Sequence, residues 1–397
     1  MMNRGNQQSP PRQEAEMNEK FSPRSIGFVR TLEAMCLLIW FAIMSATLWP
    51  FNPRPHNDVR WLGKTNGIHL GPKGVVLGTA PFLVKTSQEP ISSSLEVLLR
   101  IDNENKVNTI LNFYTSENPG GFRLRQYNDS LIIVHDLRDQ QNRTKTTKFD
   151  VDHIFHVTKP TLLTITSSKK GTAVYADGLL VQTSGDFKVS EKDFSGNLVA
   201  GTSPLDFDPW SGDLLGLAIY GRELNNAEIR KHFEDWEREG KVTLLESETP
   251  IAIYAFDEGT GALIHNQVAS EPDLRIPNYF LIPAKPMLRL PWDEFSADWY
   301  YVEDFLRNIA GFIPLGMIFY FYFSWGRQSP HAALVTIALG ATTSLIIEIV
   351  QAFIPQRYSG TTDIITNTLG TALGVLFLRA APVRAALAKI GVFDGRV

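Results

Sequence analysis

The sequence predicts a mixed protein: a four-helix transmembrane bundle, with an all-β sandwich inserted between helices one and two. Two observations predict it. Apolar residues concentrate near the two ends of the 397-residue chain, in runs whose length suits a bilayer. The region between them carries short alternating or β-branched runs separated by turn residues, which is typical of an all-β sandwich or barrel.

The chain opens with a polar segment, residues 1–30, rich in Gln, Asn, Pro and charged residues. This composition predicts a disordered cytoplasmic tail. Residues 31–50 are apolar apart from Glu33 and predict the first transmembrane helix, which Pro50 ends. A cleaved signal peptide is the alternative. The polar leader is long for a signal peptide and no A-x-A cleavage site follows, so we favour an uncleaved anchor.

The sandwich is predicted over residues 60–275, with one helix beginning near Asn225. Glu228 follows Asn225 at the spacing of a capping box, which indicates a helix N-terminus there. Residues 276–300 are Pro-rich and irregular, and they predict a linker that returns to the membrane.

The membrane region is predicted over residues 301–380 and holds three further transmembrane helices. Their apolar runs are 305–325, 332–353 and 364–378, of which the last is short and rich in small residues. Residues 381–397 predict a second cytoplasmic tail.

The distribution of Lys and Arg around these segments predicts the topology, because cytoplasmic flanks carry an excess of both. Basic residues lie in the first tail, in the 326–330 loop and in the last tail. Both termini are therefore expected in the cytoplasm and the sandwich on the outer side of the membrane. Arg357 departs from the pattern, since it would lie outside.

Charge and cysteine content exclude several classes of function. The net charge of −4 gives no electrostatic basis for nucleic-acid binding. The single cysteine, Cys36, rules out an intrachain disulfide framework and reads as a small apolar residue in a helix. Neither a phosphate-binding loop nor a metalloprotease or nucleophile motif occurs, so catalytic residues stay unknown.

Polar residues recur at one depth of the three C-terminal helices. They form pairs that share a helical face in each case: Asp304 with Asn308, Glu348 with Gln351, and Asp363 with Asn367. Arg357 lies in the loop between the last two helices and is the expected countercharge. Ionisable groups at membrane depth are costly and usually face a partner or a cavity, so we predict a functional or ligand-binding cluster.

Structural roles compete with this interpretation. Asp304 and Asp363 lie at helix ends, where carboxylates also cap helices, whereas Glu348 lies inside an apolar run and is harder to explain that way. Gly370 and Gly374 form a small-xxx-small step, which we interpret as helix packing.

The ordered motif of residues 304–374 resembles the VanZ-like family. The carrying residues are Asp304, Asn308, Gly311, Pro314, Gly316, Glu348, Gln351, Pro355, Arg357, Asp363, Asn367, Gly370 and Gly374. The resemblance implies a four-helix membrane protein. Its founding member is linked with low-level resistance to the glycopeptide teicoplanin, so a role in glycopeptide antibiotic resistance or envelope homeostasis is implied.

The sandwich resembles a LamG or concanavalin-like jelly roll. The resemblance is carried by Tyr175-Ala-Asp177-Gly178, by the 212–229 segment and by the 254–261 segment. Gly178 is expected in a tight turn between strands. Such domains often bind carbohydrate, sometimes with calcium. Asp206, Asp208 and Asp213 could supply oxygen ligands to calcium, although solvated turn residues are the simpler interpretation; no other metal site is predicted.

Three functions follow. The first is a cell-envelope protein that binds a glycan or envelope polymer through the sandwich and an anionic or lipid-linked ligand at the bundle, with membrane lipids as partners. The second is a membrane enzyme acting on lipid-linked wall precursors, with two carboxylates for acid–base chemistry and Arg357 against a phosphate. In the third, the bundle is only an anchor for the sandwich.

Overall fold

The computed structural model describes residues 23–83, 92–138, 144–239, 250–268 and 272–389. The chain folds into two compact units whose boundaries fall between Phe51 and Asn52 and between Lys285 and Pro286. We call residues 52–285 the sandwich unit and the rest of the chain the helical unit. The predicted sandwich, 60–275, lies within the first of these.

The described strands of the sandwich unit form two antiparallel sheets. Their bounds are β1 Val59–Trp61, β2 Ile68–Leu70, β3 Val76–Gly78, β4 Ser93–Ile101, β5 Val107–Tyr114, β6 Phe122–Tyr127, β7 Ser130–Arg138, β8 Thr144–Val151, β9 Thr161–Ser168, β10 Gly171–Ala176, β11 Leu179–Ser184, β12 Asn197–Ala200, β13 Gly212–Tyr220, β14 Pro250–Tyr254, β15 Leu263–Ile264 and β16 Leu274–Arg275. One sheet has the order β1-β2-β13-β4-β9-β10-β11, with β14 also paired to β13. The other has the order β15-β16-β3-β12-β5-β6-β7-β8.

Alternating apolar residues build the core between the sheets. In β4, Leu95, Val97 and Leu99 are fully buried in this core. In β6, Phe122 and Leu124 enter the same core while the intervening arginine stays half-buried. Successive side chains of a strand point to opposite faces, so a period of two produces one apolar face per sheet. This confirms the predicted all-β sandwich.

Two local predictions about the sandwich are confirmed. Asp177 and Gly178 both have positive φ, 50° and 76°, and join β10 to β11 in the tight turn expected of a hairpin. The α-helix of this unit, hereafter the sandwich helix, spans Asn226–Glu239. The Asn225 Oδ1 atom accepts the Glu228 N–H at 3.1 Å, and the Glu228 carboxylate accepts the Asn225 N–H at 2.8 Å, which is a complete capping box.

Among the described residues of the helical unit, four helices are long and apolar enough to cross a membrane. They are α1 Pro23–Leu48, α2 Trp299–Phe321, α3 Ala332–Ala352 and α4 Thr361–Arg379. A π-helical turn, Tyr322–Gly326, extends α2. Leu37, Leu38 and Phe41 of α1 are each about two-thirds exposed, as expected of side chains that face lipid.

Several helix bounds differ from the predictions. The first helix begins at Pro23 rather than at residue 31, so only residues 1–22 of the predicted tail lie outside the described residues. The last long helix runs from Thr361 to Arg379, a full turn longer than the 364–378 run, because Thr361 and Thr362 were counted as loop. Two short helices, Pro291–Glu294 and Ala381–Lys389, occupy the predicted linker and C-terminal tail.

Small residues let α2 and α4 approach closely. A Cβ atom on Gly370 would lie 2.2 Å from the Ile309 carbonyl oxygen, and one on Gly374 would lie 2.3 Å from that of Ile313. Gly316 makes the reciprocal approach to the backbone of Thr371. Such contacts are the usual way in which membrane helices pack.

Candidate ligand-binding cavity in the helical unit

The up-and-down order of the helices collects the predicted polar residues at one end of the helical unit. Asp304 and Asn308 lie in the first turns of α2, Glu348 and Gln351 in the last turns of α3, and Asp363 and Asn367 in the first turns of α4. The C-terminal end of α1 lies at the same end, because Gln351 donates to the Thr47 carbonyl oxygen at 2.9 Å.

Hydrogen bonds join these residues across helices. The Asn308 Nδ2–H donates to the Asp363 carboxylate at 2.8 Å, which connects α2 to α4. The Asn367 Nδ2–H donates to the Ser344 hydroxyl oxygen at 2.9 Å, which connects α4 to α3. The amide partners of the predicted pairs therefore hold the helices together and orient the carboxylates.

Glu348 is the most buried carboxylate of this end, with 1% of its surface exposed. Its Oε2 atom accepts the Gly360 N–H at 2.8 Å, and its backbone oxygen accepts the Ser359 hydroxyl at 2.8 Å. The charges of Asp363, Glu294 and Asp304 all act on it. Glu348 thus lies directly behind the loop that leads into α4.

Arg357 is placed differently from the prediction. Its guanidinium donates to the backbone carbonyl of Trp49 after α1, and it does not line the cavity described below. Because a backbone carbonyl after an apolar helix lacks an intrahelical partner, this bond terminates α1. Within the described part of the chain, Arg357 forms no ion pair with Asp304, Glu348 or Asp363, so it is not their countercharge.

A cavity of about 260 Å³ opens at this end. Its lining combines carboxylates, one arginine, aromatic rings and loop backbone: Arg289, Asp293, Glu294, Tyr301, Asp304, Phe305, Tyr358, Gly360, Thr362 and Asp363. Asp304 and Asp363 both line this cavity. The Asp298 carboxylate caps α2 by accepting the Tyr301 N–H at 2.8 Å, which fixes the start of this wall.

The predicted linker supplies the part of this site that the sequence did not indicate. Arg289 and Gly360 form a parallel bridge, in which the Arg289 N–H donates to the Ser359 carbonyl and the Arg289 carbonyl accepts the Thr361 N–H. The Arg289 guanidinium stacks on the Tyr358 ring at 5.5 Å. Glu294 accepts the Thr362 N–H at 3.2 Å at the start of α4. One sequence signal was available: Pro291 followed by Asp293 and Glu294 is typical of the first turn of a helix, and it indicates that the linker is structured there.

The sandwich unit holds its own groove, of about 710 Å³. It lies between the sandwich helix and the loops beside it, and its lining includes Asn66, Arg100, Lys159, Asp177, Asp213, Leu215, Phe233 and Trp236. Two charge pairs lie along it, Arg100 with Asp213 and Lys159 with Asp177 at 3.1 Å. The remaining lining combines apolar side chains with Glu237 and Glu239.

The aspartates considered for calcium have protein partners. Asp208 accepts from Thr109 at 2.6 Å and from Arg125 at 3.3 Å, whereas Asp213 accepts from Arg100 and, at 2.8 Å, from His69. Among the described residues, His69, Asp102 and Asp213 are close enough together to hold a metal ion. Arg100 already neutralises Asp213, so calcium binding by the sandwich stays a prediction.

Comparison with known proteins finds two family models that match different parts of the chain, and the C-terminal match begins inside the sandwich unit. The family model described as VanZ/LLP1 matches residues 253–382, and that of the concanavalin A-like lectin/glucanases superfamily matches residues 80–230. None of the curated proteins matches the sequence.

Solved structures resemble the sandwich only distantly. The receptor-binding domain of botulinum neurotoxin mosaic serotype C/D is 22% identical, with a TM-score of 0.33, over 45% of this chain and 44% of that one. A candidate carbohydrate-binding protein from Bacteroides ovatus is 13% identical, with a TM-score of 0.39, over 58% of this chain and 62% of that one. The chain thus spans less than two thirds of each, and neither likeness transfers a ligand to it. The protein therefore carries a VanZ-like membrane region preceded by a Laminin G-type, concanavalin-like sandwich.

Proposed function

We propose that this protein is a bacterial cell-envelope membrane protein with two binding sites. The sandwich unit would bind a glycan or envelope polymer, and the cavity of the helical unit would bind a lipid-linked ligand. One observation carries the proposal: the polar ends of α2 and α4, with the loop before α4 and the segment before α2, line a cavity at the end of the bundle where the chain leaves for the sandwich and returns from it.

Chain connectivity supports the same side of the membrane for both sites. The sandwich follows the C-terminal end of α1 and precedes the N-terminal end of α2, so with all four helices spanning, it lies on the same side of the membrane as the cavity. Arg30, Arg327, Arg379 and Arg384 flank the opposite ends of the helices, which favours the cytoplasm for those ends. We therefore propose the outer side of the inner membrane for both sites.

The two sites differ in size, which supports different ligand groups for each. The sandwich groove, at about 710 Å³, falls within the usual 300–1,000 Å³ of ligand sites, and its apolar floor and paired charges suit the faces and hydroxyls of sugar rings. The helical cavity, at about 260 Å³, suits a head group rather than a sugar chain. The name of the matching superfamily, which includes lectins, supports the glycan.

The charges that line the cavity argue against a purely anionic ligand at the bundle. An anionic ligand was expected because Arg357 was the presumed countercharge, but Arg357 binds the Trp49 carbonyl instead. The cavity lining contains Asp293, Glu294, Asp304 and Asp363 against Arg289, so a purely anionic group would meet repulsion.

The test uses the full-length protein in nanodiscs and measures binding of a polyprenyl-linked glycan, the free glycan and the glycan-free polyprenyl phosphate. We expect the linked glycan to bind most tightly. Replacing Asn66 and Lys159 by Ala should weaken it by about ten-fold, the value of one or two hydrogen bonds to polar groups. Lys170→Ala, an exposed lysine outside the groove, is the matched control. Equal binding of the glycan-free lipid would contradict the proposal.

One observation favours the enzymatic alternative: Asp304 and Asp363 share a cavity with Arg289, an arrangement that could serve acid–base chemistry beside a phosphate. Purified protein that releases product from a labelled lipid-linked wall precursor, and loses this turnover in Asp363→Asn, would establish it. The role in glycopeptide resistance that the VanZ resemblance implies belongs to the same proposal, and teicoplanin susceptibility of a deletion strain tests it.

A further inference from the structure

The groove of the sandwich unit contains a buried hydrogen-bond donor that lacks an acceptor. Trp236, in the last turn of the sandwich helix, lines this groove and is 3% exposed. Its indole Nε1 atom is buried and has no hydrogen-bond partner among the described residues. Such atoms are rare in folded proteins, because leaving a buried polar group unsatisfied costs about 1–3 kcal/mol. An acceptor supplied by a ligand in the groove would remove this cost.

The packing of Trp236 explains why the protein supplies no acceptor itself. The six-membered ring of the indole lies against Gly216 of β13, where a Cβ atom would overlap it. Leu162 packs against Trp236 as well, and the partly buried side chains of Leu98 and Phe233 complete the cluster. None of these neighbours has a side-chain oxygen or nitrogen. Leu98 and Phe233 also line the groove, so a ligand next to Trp236 meets apolar surface.

The charges of the groove disfavour an anionic ligand. The charged residues of the lining are Arg100, Lys159, Asp177, Asp213, Glu237 and Glu239. Both basic side chains already pair with the two aspartates. Negative charge therefore exceeds positive charge, and a sugar that carries a carboxylate or a phosphate would meet repulsion. A neutral ligand fits this lining better.

We infer that the groove binds a neutral sugar that carries an acetamido group. The amide carbonyl oxygen would accept the Trp236 Nε1–H, and the methyl group would lie against Leu98 and Phe233. A sugar hydroxyl could accept the same hydrogen bond, but its own O–H would then face apolar side chains without an acceptor. A protonated amine has donors only and cannot accept the bond. The inference deepens the proposed function and rests on it in taking the ligand of the sandwich unit to be a glycan.

The experiment compares three β-1,4-linked tetrasaccharides that differ only in the group at C2: N-acetylglucosamine, glucose and glucosamine. Each is titrated into the full-length protein in nanodiscs. We expect the N-acetylglucosamine oligomer to bind about ten-fold more tightly than the glucose oligomer, since it satisfies the buried donor without burying an unpaired O–H. The glucosamine oligomer should bind no more tightly than the glucose oligomer.

A single substitution separates the donor from the ring that carries it. Trp236→Phe keeps an aromatic side chain against Gly216 but removes the Nε1–H, so it should abolish the preference for the acetamido group and leave the affinity for the glucose oligomer within about two-fold. Trp292→Phe is the matched control, because Trp292 is 72% exposed and lies in the helical unit, outside the groove. It should leave the preference unchanged.

NMR of the unmodified protein provides a second readout that does not depend on how Trp236→Phe folds. The indole N–H resonance of Trp236 should shift downfield with the N-acetylglucosamine oligomer and stay in place with the glucose oligomer, as expected for a new hydrogen bond to a carbonyl oxygen. An unchanged resonance with a bound N-acetylglucosamine oligomer would overturn the inference.

The affinities distinguish failure of this inference from failure of the proposed function. Equal affinity for the N-acetylglucosamine and glucose oligomers would refute the acetamido site and leave glycan binding by the sandwich unit in place. Tightest binding of the glucosamine oligomer would also refute it, because the carboxylates of the groove would then select the ligand. If none of the three binds, the acetamido site is refuted, and the proposed function fails with it if the polyprenyl-linked glycan does not bind either.

Discussion

Glu96 and Asp213 in the sandwich unit are as buried as Glu348 in the helical unit, with 0%, 2% and 1% of their surfaces exposed. Their surroundings differ. Glu96 contacts His232 at 3.0 Å and also accepts from Thr164 and Tyr220. Asp213 accepts from both Arg100 and His69. Glu348 accepts the Gly360 N–H, and the charges that act on it, those of Asp363, Glu294 and Asp304, have the same sign as its own.

The difference separates charges that support a fold from charges available to a ligand. A buried carboxylate with a basic partner and satisfied oxygens contributes to a specific packed arrangement. Removing the carboxylate leaves the basic partner buried without a countercharge. A buried carboxylate without such a partner contributes no comparable stability. We therefore expect the sandwich unit to depend on its buried charges and the helical unit to depend on close packing, with its carboxylates available for the proposed binding.

The largest expected effect belongs to a buried charge of the sandwich. Asp213→Ala leaves Arg100 and His69 without their shared acceptor and should destabilise the sandwich by about 3–5 kcal/mol. Hydrogen exchange of the β13 amides in the full-length protein measures it. Asp150→Ala, an exposed aspartate of β8, should change the stability by no more than about 0.5 kcal/mol. Similar losses of stability in Asp213→Ala and Asp150→Ala would show that the contacts of Asp213 with Arg100 and His69 do not stabilise the sandwich.

Close packing should matter most in the helical unit. Gly370→Ala forces a methyl group against the Ile309 carbonyl and should cost about 1–3 kcal/mol. Gly311 has open space around its Cα, so Gly311→Ala should instead stabilise α2 by up to about 1 kcal/mol through helix propensity. Thermal unfolding in detergent distinguishes the two. A destabilising Gly311→Ala would mean that this face of α2 packs against something.

The smallest effect concerns an exposed pair of the sandwich. The hydrogen bond to Asp129 raises the pKa of His153 above 6.5, and the same bond lowers the pKa of Asp129 below 3.8. The raised His pKa gives stability that is complete below 6.5 and lost as pH rises through the folded-state value. The lowered Asp pKa gives stability that is complete above 3.8 and lost as pH falls through its folded-state value. Histidine NMR titration should show a raised pKa that returns towards 6.5 in Asp129→Asn; an unchanged pKa would mean that the pair does not form in solution.

Local sequence patterns predicted most of the fold. Alternation along β4 and β6, the Asp177-Gly178 turn and the Asn225–Glu228 capping box all depend on neighbours in the chain, and each is observed. The start of α1 was placed too late because polar residues before 31 concealed the helical turns from Pro23.

The candidate site was predicted in part, for a physical reason. The spacing of Asp304, Glu348 and Asp363 on helices of known order brings them to one end of the bundle. The partner of Arg357 could not be predicted, because its acceptor, the Trp49 carbonyl oxygen, is about three hundred residues away in sequence. Arg289 and Glu294 reach the site through a bridge to Gly360 that no local pattern encodes.

The most direct test compares Glu96→Gln with Glu348→Gln in the full-length protein, measuring the local unfolding free energy of each unit by hydrogen exchange. Both changes remove one charge from a fully buried position and keep the size of the side chain. We predict that Glu96→Gln destabilises the sandwich unit, whereas Glu348→Gln leaves the helical unit as stable or more stable, because the amide oxygen can still accept the Gly360 N–H. A clear loss of stability in Glu348→Gln would contradict the account, since it would show that this charge already has a stabilising partner.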